Sequence, residues 1–175
     1  IDNPEISVLF ADIVNFTVMS EKLSAENIVG FLDDMFSKFD ELTEKYEVEK
    51  IKTIGDAYMV VTGLTSENRS HAAILFEFGQ ELLKIASNYK DHKGEPITLR
   101  IGINSGPAVS GVIGKSKFSF DIWGDTINTA ARLESYGIPS RIHMSEKTFE
   151  LINQNIEHQK KTIEIKGKGL VPVSY

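Results

Sequence analysis

The sequence contains no cysteine. Disulfides, thiolate zinc sites and cysteine nucleophiles are therefore excluded together, and the composition fits a reducing compartment. Long apolar runs are missing as well: nowhere do the ~20 consecutive apolar residues of a membrane-spanning helix occur. No segment near the start has the charged, apolar and small-residue order of a signal peptide. Basic residues are in deficit, 19 Lys and Arg against 25 Asp and Glu, for a formal net charge of -6. Nucleic-acid binding through a generally basic surface is thereby excluded, and a polyanionic ligand would need local cations or metals to offset the field. The chain also starts without methionine, at Ile1-Asp2-Asn3-Pro4. The expectation is one domain over residues 1–175, excised from a longer protein. It would be a cytoplasmic domain whose membrane anchor or upstream regulatory domain, if it has one, lies outside these residues.

Several enzyme signatures are absent too. Gly114-Lys115-Ser116 looks like the end of a P-loop, but that motif requires glycine at the position of Val109. No Gly-x-Ser-x-Gly elbow exists, which leaves a serine hydrolase without support. His71, His92, His143 and His158 lack metal-ligand spacing and read as scattered surface or core residues. Lys160-Lys161 reads as a solvated turn.

What is present suffices for one sizeable core: 175 residues, 41% of them hydrophobic and 25% charged. Glu5 to Ala11 is a short apolar run rich in β formers, read as a buried strand ending at Asp12. Beyond Ser24, a capping residue by position, Ile28, Phe31, Leu32, Met35, Phe36, Phe39 and Leu42 recur at three- and four-residue steps, the signature of a long amphipathic helix. Lys50 to Ile54 and Ala57 to Val61 read as a hairpin whose turn carries Gly55-Asp56. A second helical stripe runs from Ala72 to Ala86. Thr98 to Asn104 and Ala108 to Ile113 read as two strands turned at Ser105-Gly106-Pro107. A strand over Phe118 to Trp123, a helix over Thr126 to Ser135, and strands at Arg141 to Met144, Thr162 to Lys166 and Leu170 to Tyr175 complete the pattern. Strands, hairpins and helices in this order predict an α+β sandwich with helices over one sheet face.

Two aspartates stand out by context. Asp12 interrupts a hydrophobic strand just before Asn15-Phe16-Thr17, and Asp56 sits in a tight turn between apolar strands. Each, taken singly, reads equally well as a turn or capping residue. A carboxylate at a buried strand end is costly unless paired or metal-bound. If the first strand lies beside the hairpin, the two converge and could share Mg²⁺ or Mn²⁺, hard cations that favour oxygen ligands and phosphates. Asn128 and Arg132 lie one helical turn apart, beside the small Ala130-Ala131. Arg100 lies mid-strand, where a charge needs a partner, and Lys166 stands among glycines. Solvated surface roles are the ordinary reading of such cations; they gain chemical interest only by converging.

Five stretches carry a resemblance to a known family. They are Val8 to Thr17, Lys50 to Met59, Arg100 to Gly106, Phe120 to Arg132, and Ile165 to Gly169. In this order, over essentially the whole chain, the sequence resembles the class III nucleotidyl cyclase catalytic domains. The resemblance implies a ferredoxin-like βαββαβ core with additional strands and helices, and a head-to-tail homodimer with two equivalent nucleotide sites between subunits. It implies that Asp12 and Asp56, with the Ile13 carbonyl, hold two divalent metals, Mg²⁺ or Mn²⁺. It places the terminal phosphates against the backbone of Ile13, Val14, Asn15, Phe16 and Thr17, with Gly55, Arg100 and Lys166 contributing. It assigns Asn128 and Arg132 to the ribose and α-phosphate, and Lys52, Asp121 and Ile122 to the base. Lys52 can only donate and ionised Asp121 can only accept, which matches adenine N1 and N6; guanylyl members of the family typically carry Glu and Cys there. The implied activity is ATP to 3′,5′-cyclic AMP and pyrophosphate. The alternatives are a guanylyl or mixed-specificity cyclase, and a catalytically silent cyclase-like dimerisation module. The departures are small: Ala131 stands where the family often has Ser, and an Arg-Gly pair before Ile163 is missing.

Overall fold

The computed structural model describes residues 1–65 and 70–175. In chain order the elements are β1 (Asp2–Ile13), α1 (Phe16–Lys22), α2 (Ala25–Tyr46), β2 (Glu49–Ile54), β3 (Ala57–Thr62), α3 (His71–Ser87), β4 (Leu99–Ile113), β5 (Ser119–Trp123), α4 (Asp125–Ser135), β6 (Arg141–Ser145), α5 (Glu146–Ile152), β7 (Lys160–Ile165) and β8 (Gly169–Ser174). The strands form one sheet in the order β2-β3-β1-β4-β6-β8-β7, with β5 pairing β4 off this path. The first four strands and the helices between them give the expected ferredoxin-like core, and the remaining elements are the additions.

β1 is the central rod. Antiparallel pairing with β3 and β4 fills both of its edges, and helices cover both of its faces, so its run from Ile6 to Ala11 is buried throughout. Leu9 and Ala11 join α2 and α3 in one core, with Met35, Phe39, Leu75, Phe78 and Leu82. Ile6, Val8 and Phe10 pack on the other face with Ile127 and Ala130 of α4. The helices therefore do not all lie over one face, as the pattern predicted: α4 covers the opposite one. Its backbone lies directly on β4 at Gly102, where an added Cβ would stand 2.3 Å from the Glu134 amide nitrogen and 2.6 Å from the Ala130 carbonyl.

α2 forms where the periodicity predicted. Ser24 caps it, its hydroxyl accepting from the Asn27 amide at 3.2 Å, and Glu47 ends it in the left-handed conformation.

Two further expectations fail for tertiary reasons. Ser105-Gly106-Pro107 is not a turn; β4 runs straight through it for 15 residues. The register against β1 jumps between Ile6↔Gly106 and Asn3↔Ala108, so Pro107, which has no N–H to offer, falls where the ladder is interrupted. The Thr126 hydroxyl donates to the Pro107 carbonyl at 2.7 Å, and only glycine at 106 lets Thr126 come so close, since a Cβ there would lie 2.6 Å from its oxygen. Lys160-Lys161 is likewise no turn but the start of β7, paired with Ser174 and Val173. The short helices α1 and α5 escaped the pattern search because seven residues carry too little periodicity.

Candidate active site

The ends of β1, the β2–β3 hairpin and the start of β4 build one part of the site. Asp12 and Arg100 face each other across the β1–β4 ladder, and Arg100 Nε donates to Asp12 Oδ1 at 3.4 Å. Asp56 is delivered by the tight turn after β2, in which Gly55 adopts φ +59°. Its Oδ2 accepts from the Ile13 amide at 3.1 Å, so the two aspartates meet across β1, as sequence reasoning required. Burial holds the Asp56 carboxyl above its ordinary range; the Ile13 amide pulls it partly back and the Asp12 charge pushes it up.

The loop after β1 turns sharply at Asn15, in the left-handed region, and opens α1. The Val14 amide is bonded to the Thr98 carbonyl at 3.0 Å, and that of Ile13 to Asp56. The amides of Phe16 and Thr17, in the first turn of α1, have no intrahelical acceptor. Fewer main-chain amides are thus open to an anion than the five-residue stretch suggests.

Two carboxylates and the main chain form a set of hard oxygen donors that suits Mg²⁺ or Mn²⁺. The Arg100 guanidinium drawn onto Asp12 marks the same place as one that attracts positive charge. Among the described residues no group of three or more His, Cys, Asp or Glu forms a self-sufficient metal cage, so phosphate and water oxygens would have to complete the coordination.

The other candidate groups lie on β2, β5, α4 and the β7–β8 turn. Lys52 Nζ donates to Asp121 Oδ2 at 2.7 Å, while Asp121 Oδ1 accepts from the amide of the buried Ile122 at 2.8 Å. Lys52 extends from the hairpin at a register shift between Lys50 and Lys52. Asn128 and Arg132 share one exposed face of α4 and, with Lys166, line a cleft of about 500 Å³. Asp12, Asp56 and Arg100 do not line that cleft. Asn128, Arg132 and Lys166 thus meet in a cleft whose lining does not include the two aspartates.

Glu134 escaped the sequence reading. It is 7% exposed, has one carboxyl oxygen with no hydrogen-bond partner, and has its pKa pushed up to about 9, first by burial and then by Asp12. The signal was available: Ile127, Ala130 and Glu134 stand at i, i+3 and i+7, so Glu134 falls on the buried face of α4.

Comparison with known proteins identifies the family. Residues 2–173 match the family described as the adenylate and guanylate cyclase catalytic domain. An adenylate cyclase of Mycobacterium tuberculosis is 38% identical over 172 residues, 98% of this chain and 39% of that protein. Guanylate cyclase 2D of Rattus norvegicus is 40% identical over 173 residues, 95% of this chain and 16% of that protein. The chain thus spans well under half the length of these curated relatives. The catalytic core of a rhodopsin-guanylyl cyclase with converted specificity, solved in complex with ATPαS, superposes with a TM-score of 0.92 at 35% identity, covering 99% of this chain and 95% of that one. These acidic and cationic groups thus sit on a chain that belongs to the class III nucleotidyl cyclase catalytic domains.

Proposed function

We propose that the chain is an adenylyl cyclase domain, converting ATP to 3′,5′-cyclic AMP and pyrophosphate at two equivalent sites shared across a head-to-tail homodimer. The observation that carries the choice of base is the Lys52–Asp121 pair. Adenine offers an acceptor at N1 and donor hydrogens at N6. Lys52 spends one of its three donors on Asp121, and Asp121 keeps acceptor capacity on both oxygens. Guanine offers the opposite pair and would leave both groups unmatched, a penalty that can reach ~10⁴-fold in discrimination.

In this reading Asn128, Arg132 and Lys166, which share a cleft that Asp12 and Asp56 do not line, act on a nucleotide held by the aspartates of another copy. The β4–β5 arm supports this partner, because Val112, Ile113 and Phe118 are 61%, 54% and 76% exposed along it; such apolar exposure favours a covered surface.

Two divalent metals held by Asp12, Asp56 and the Ile13 carbonyl would lower the pKa of the ribose 3′-hydroxyl and neutralise the phosphates. Arg100 is released from Asp12 to the β- and γ-phosphates, and the Phe16 and Thr17 amides take terminal phosphate oxygens. Arg132 stands ready for the charge that develops at the α-phosphate, and Asn128 orients the ribose. No covalent nucleophile is involved.

The matching of adenylate and guanylate cyclases at 38% and 40% identity supports a second reading, a guanylyl or mixed-specificity cyclase. Steady-state assays with Mg-ATP, Mn-ATP and Mn-GTP side by side decide between them. Cyclic AMP is the expected product, and a kcat/KM for GTP equal to or above that for ATP would overturn the adenylyl reading.

A further inference from the structure

Lys168 and Asp125 form an ion pair that the phosphate-binding groups named so far do not use. Asp125 opens α4, three residues before Asn128, and Lys168 follows Lys166 in the β7–β8 turn. Both line the 500 Å³ cleft. The turn is built on Gly167 and Gly169, at φ +86° and +73°, and closes with the Lys168 amide on the Ile165 carbonyl at 2.9 Å. Among the described residues, and apart from its hairpin partner β7, β8 joins the sheet only at its far end, Val173 to Ser145 and Ser174 to Met144. From Val173 back to Gly169 is roughly 13 Å of strand at about 3.3 Å per residue. The tip that carries Lys166 is thus cantilevered away from its sheet anchor. Lys168–Asp125 is the one ion pair between that tip and α4 among the described residues.

We infer that the Asp125–Lys168 pair is a latch that docks the β7–β8 tip onto α4 and so positions Lys166 against the face carrying Asn128 and Arg132. Asp125 and Lys168 are positioning residues, and neither takes part in bond making. The inference rests on the cyclase reading for its consequence, since the groups being aligned are the proposed triphosphate clamp. An exposed pair of this kind contributes at most about 1 kcal/mol, or roughly fivefold in an equilibrium constant. The latch is therefore weak enough to open and close with each nucleotide.

The alternative role is that Asp125 merely holds Lys168 away from the phosphates, and the two predict opposite signs. Under the latch, Asp125→Asn weakens binding of 3′-deoxy-ATP with Mn²⁺, measured by calorimetry, about three- to fivefold, and raises KM equally with kcat within about twofold. Asp125→Glu retains wild-type affinity. Asp125→Asn combined with Lys168→Met is no weaker than Lys168→Met alone, because the two act as a unit. Amides of residues 166–169 exchange hydrogen faster in Asp125→Asn than in wild type. Unchanged or tighter binding in Asp125→Asn, or unchanged exchange at the tip, overturns the latch. Wild-type protein that fails to bind 3′-deoxy-ATP at all would instead sink the cyclase reading, and the exchange measurement would still decide the latch.

Discussion

Two cases show how a side chain's neighbours set its chemistry. His143 is 1% exposed, neither ring nitrogen has a hydrogen-bond partner, and the ring stacks on Tyr175 with centroids 5.0 Å apart. Burial and the nearby Lys161 charge lower its pKa from 6.5 to about 4. Between these values the unfolded chain binds a proton that the folded chain refuses, so stability falls as the pH drops from 6.5 toward 4. The loss is about 3 kcal/mol, at roughly 1.4 kcal/mol per pKa unit. Urea unfolding at pH 7 and pH 4.5 should show His143→Phe, which keeps the stacking, losing less stability than wild type across this window. Comparing the two proteins isolates the histidine, because Glu134 contributes with the opposite sign: its raised pKa favours the fold at low pH. Lys52 and Asp121 make the second case. The double substitution Lys52→Glu with Asp121→Cys inverts the donor and acceptor pattern, and we expect the kcat/KM ratio for ATP over GTP to fall by about 10²-fold or more. An unchanged ratio would mean that these side chains do not read the base.

At the scale of elements, α4 lies on β4 with no room for a side chain at Gly102. Gly102→Ala would press a methyl group onto backbone atoms of Glu134 and Ala130, which cannot rotate away as a side-chain end could. We expect a loss of about 3 kcal/mol in chemical denaturation, at the upper end of overpacking penalties. Gly30→Ala is the control: nothing lies within 4 Å of the added carbon and the site is helical, so it should be neutral or slightly stabilising. A Gly102→Ala protein as stable as wild type would show that α4 can shift on the sheet. Because α4 also presents Asn128 and Arg132, such a shift would appear as lost activity rather than lost stability.

For the whole molecule the proposal turns on a site shared between two copies of the chain. Asp12→Ala and Arg132→Ala should each be nearly inactive alone. Mixed together, half of the dimers are heterodimers with one intact site out of two, which predicts recovery of about a quarter of wild-type activity. No recovery on mixing would rule out sites shared between subunits. Dilution below the dimer dissociation constant should likewise reduce specific activity.

Much of this was legible in the residues. The periodicity of α2 and α3, the hairpin around Gly55-Asp56 and the motif-bearing strands are local patterns, and local steric and hydrophobic preferences suffice to impose them. Asp12 and Asp56 could be singled out because a carboxylate beside a buried strand is costly wherever the strand ends up. Where local and tertiary demands conflicted, the sequence alone misled. Ser105-Gly106-Pro107 has the composition of a turn, yet pairing with β1 and the close approach of Thr126 keep the chain extended. The buried carboxyl of Glu134, the opposite placement of α4, the Arg100–Asp12 contact and the Asp125–Lys168 pair all depend on which faces meet across the sheet. Residues far apart in the chain acquire those neighbours only once the strand order is fixed. The sequence by itself determined the chemical groups and the family; the tertiary structure alone decided which groups meet, because burial and charge pairing are properties of the packed molecule.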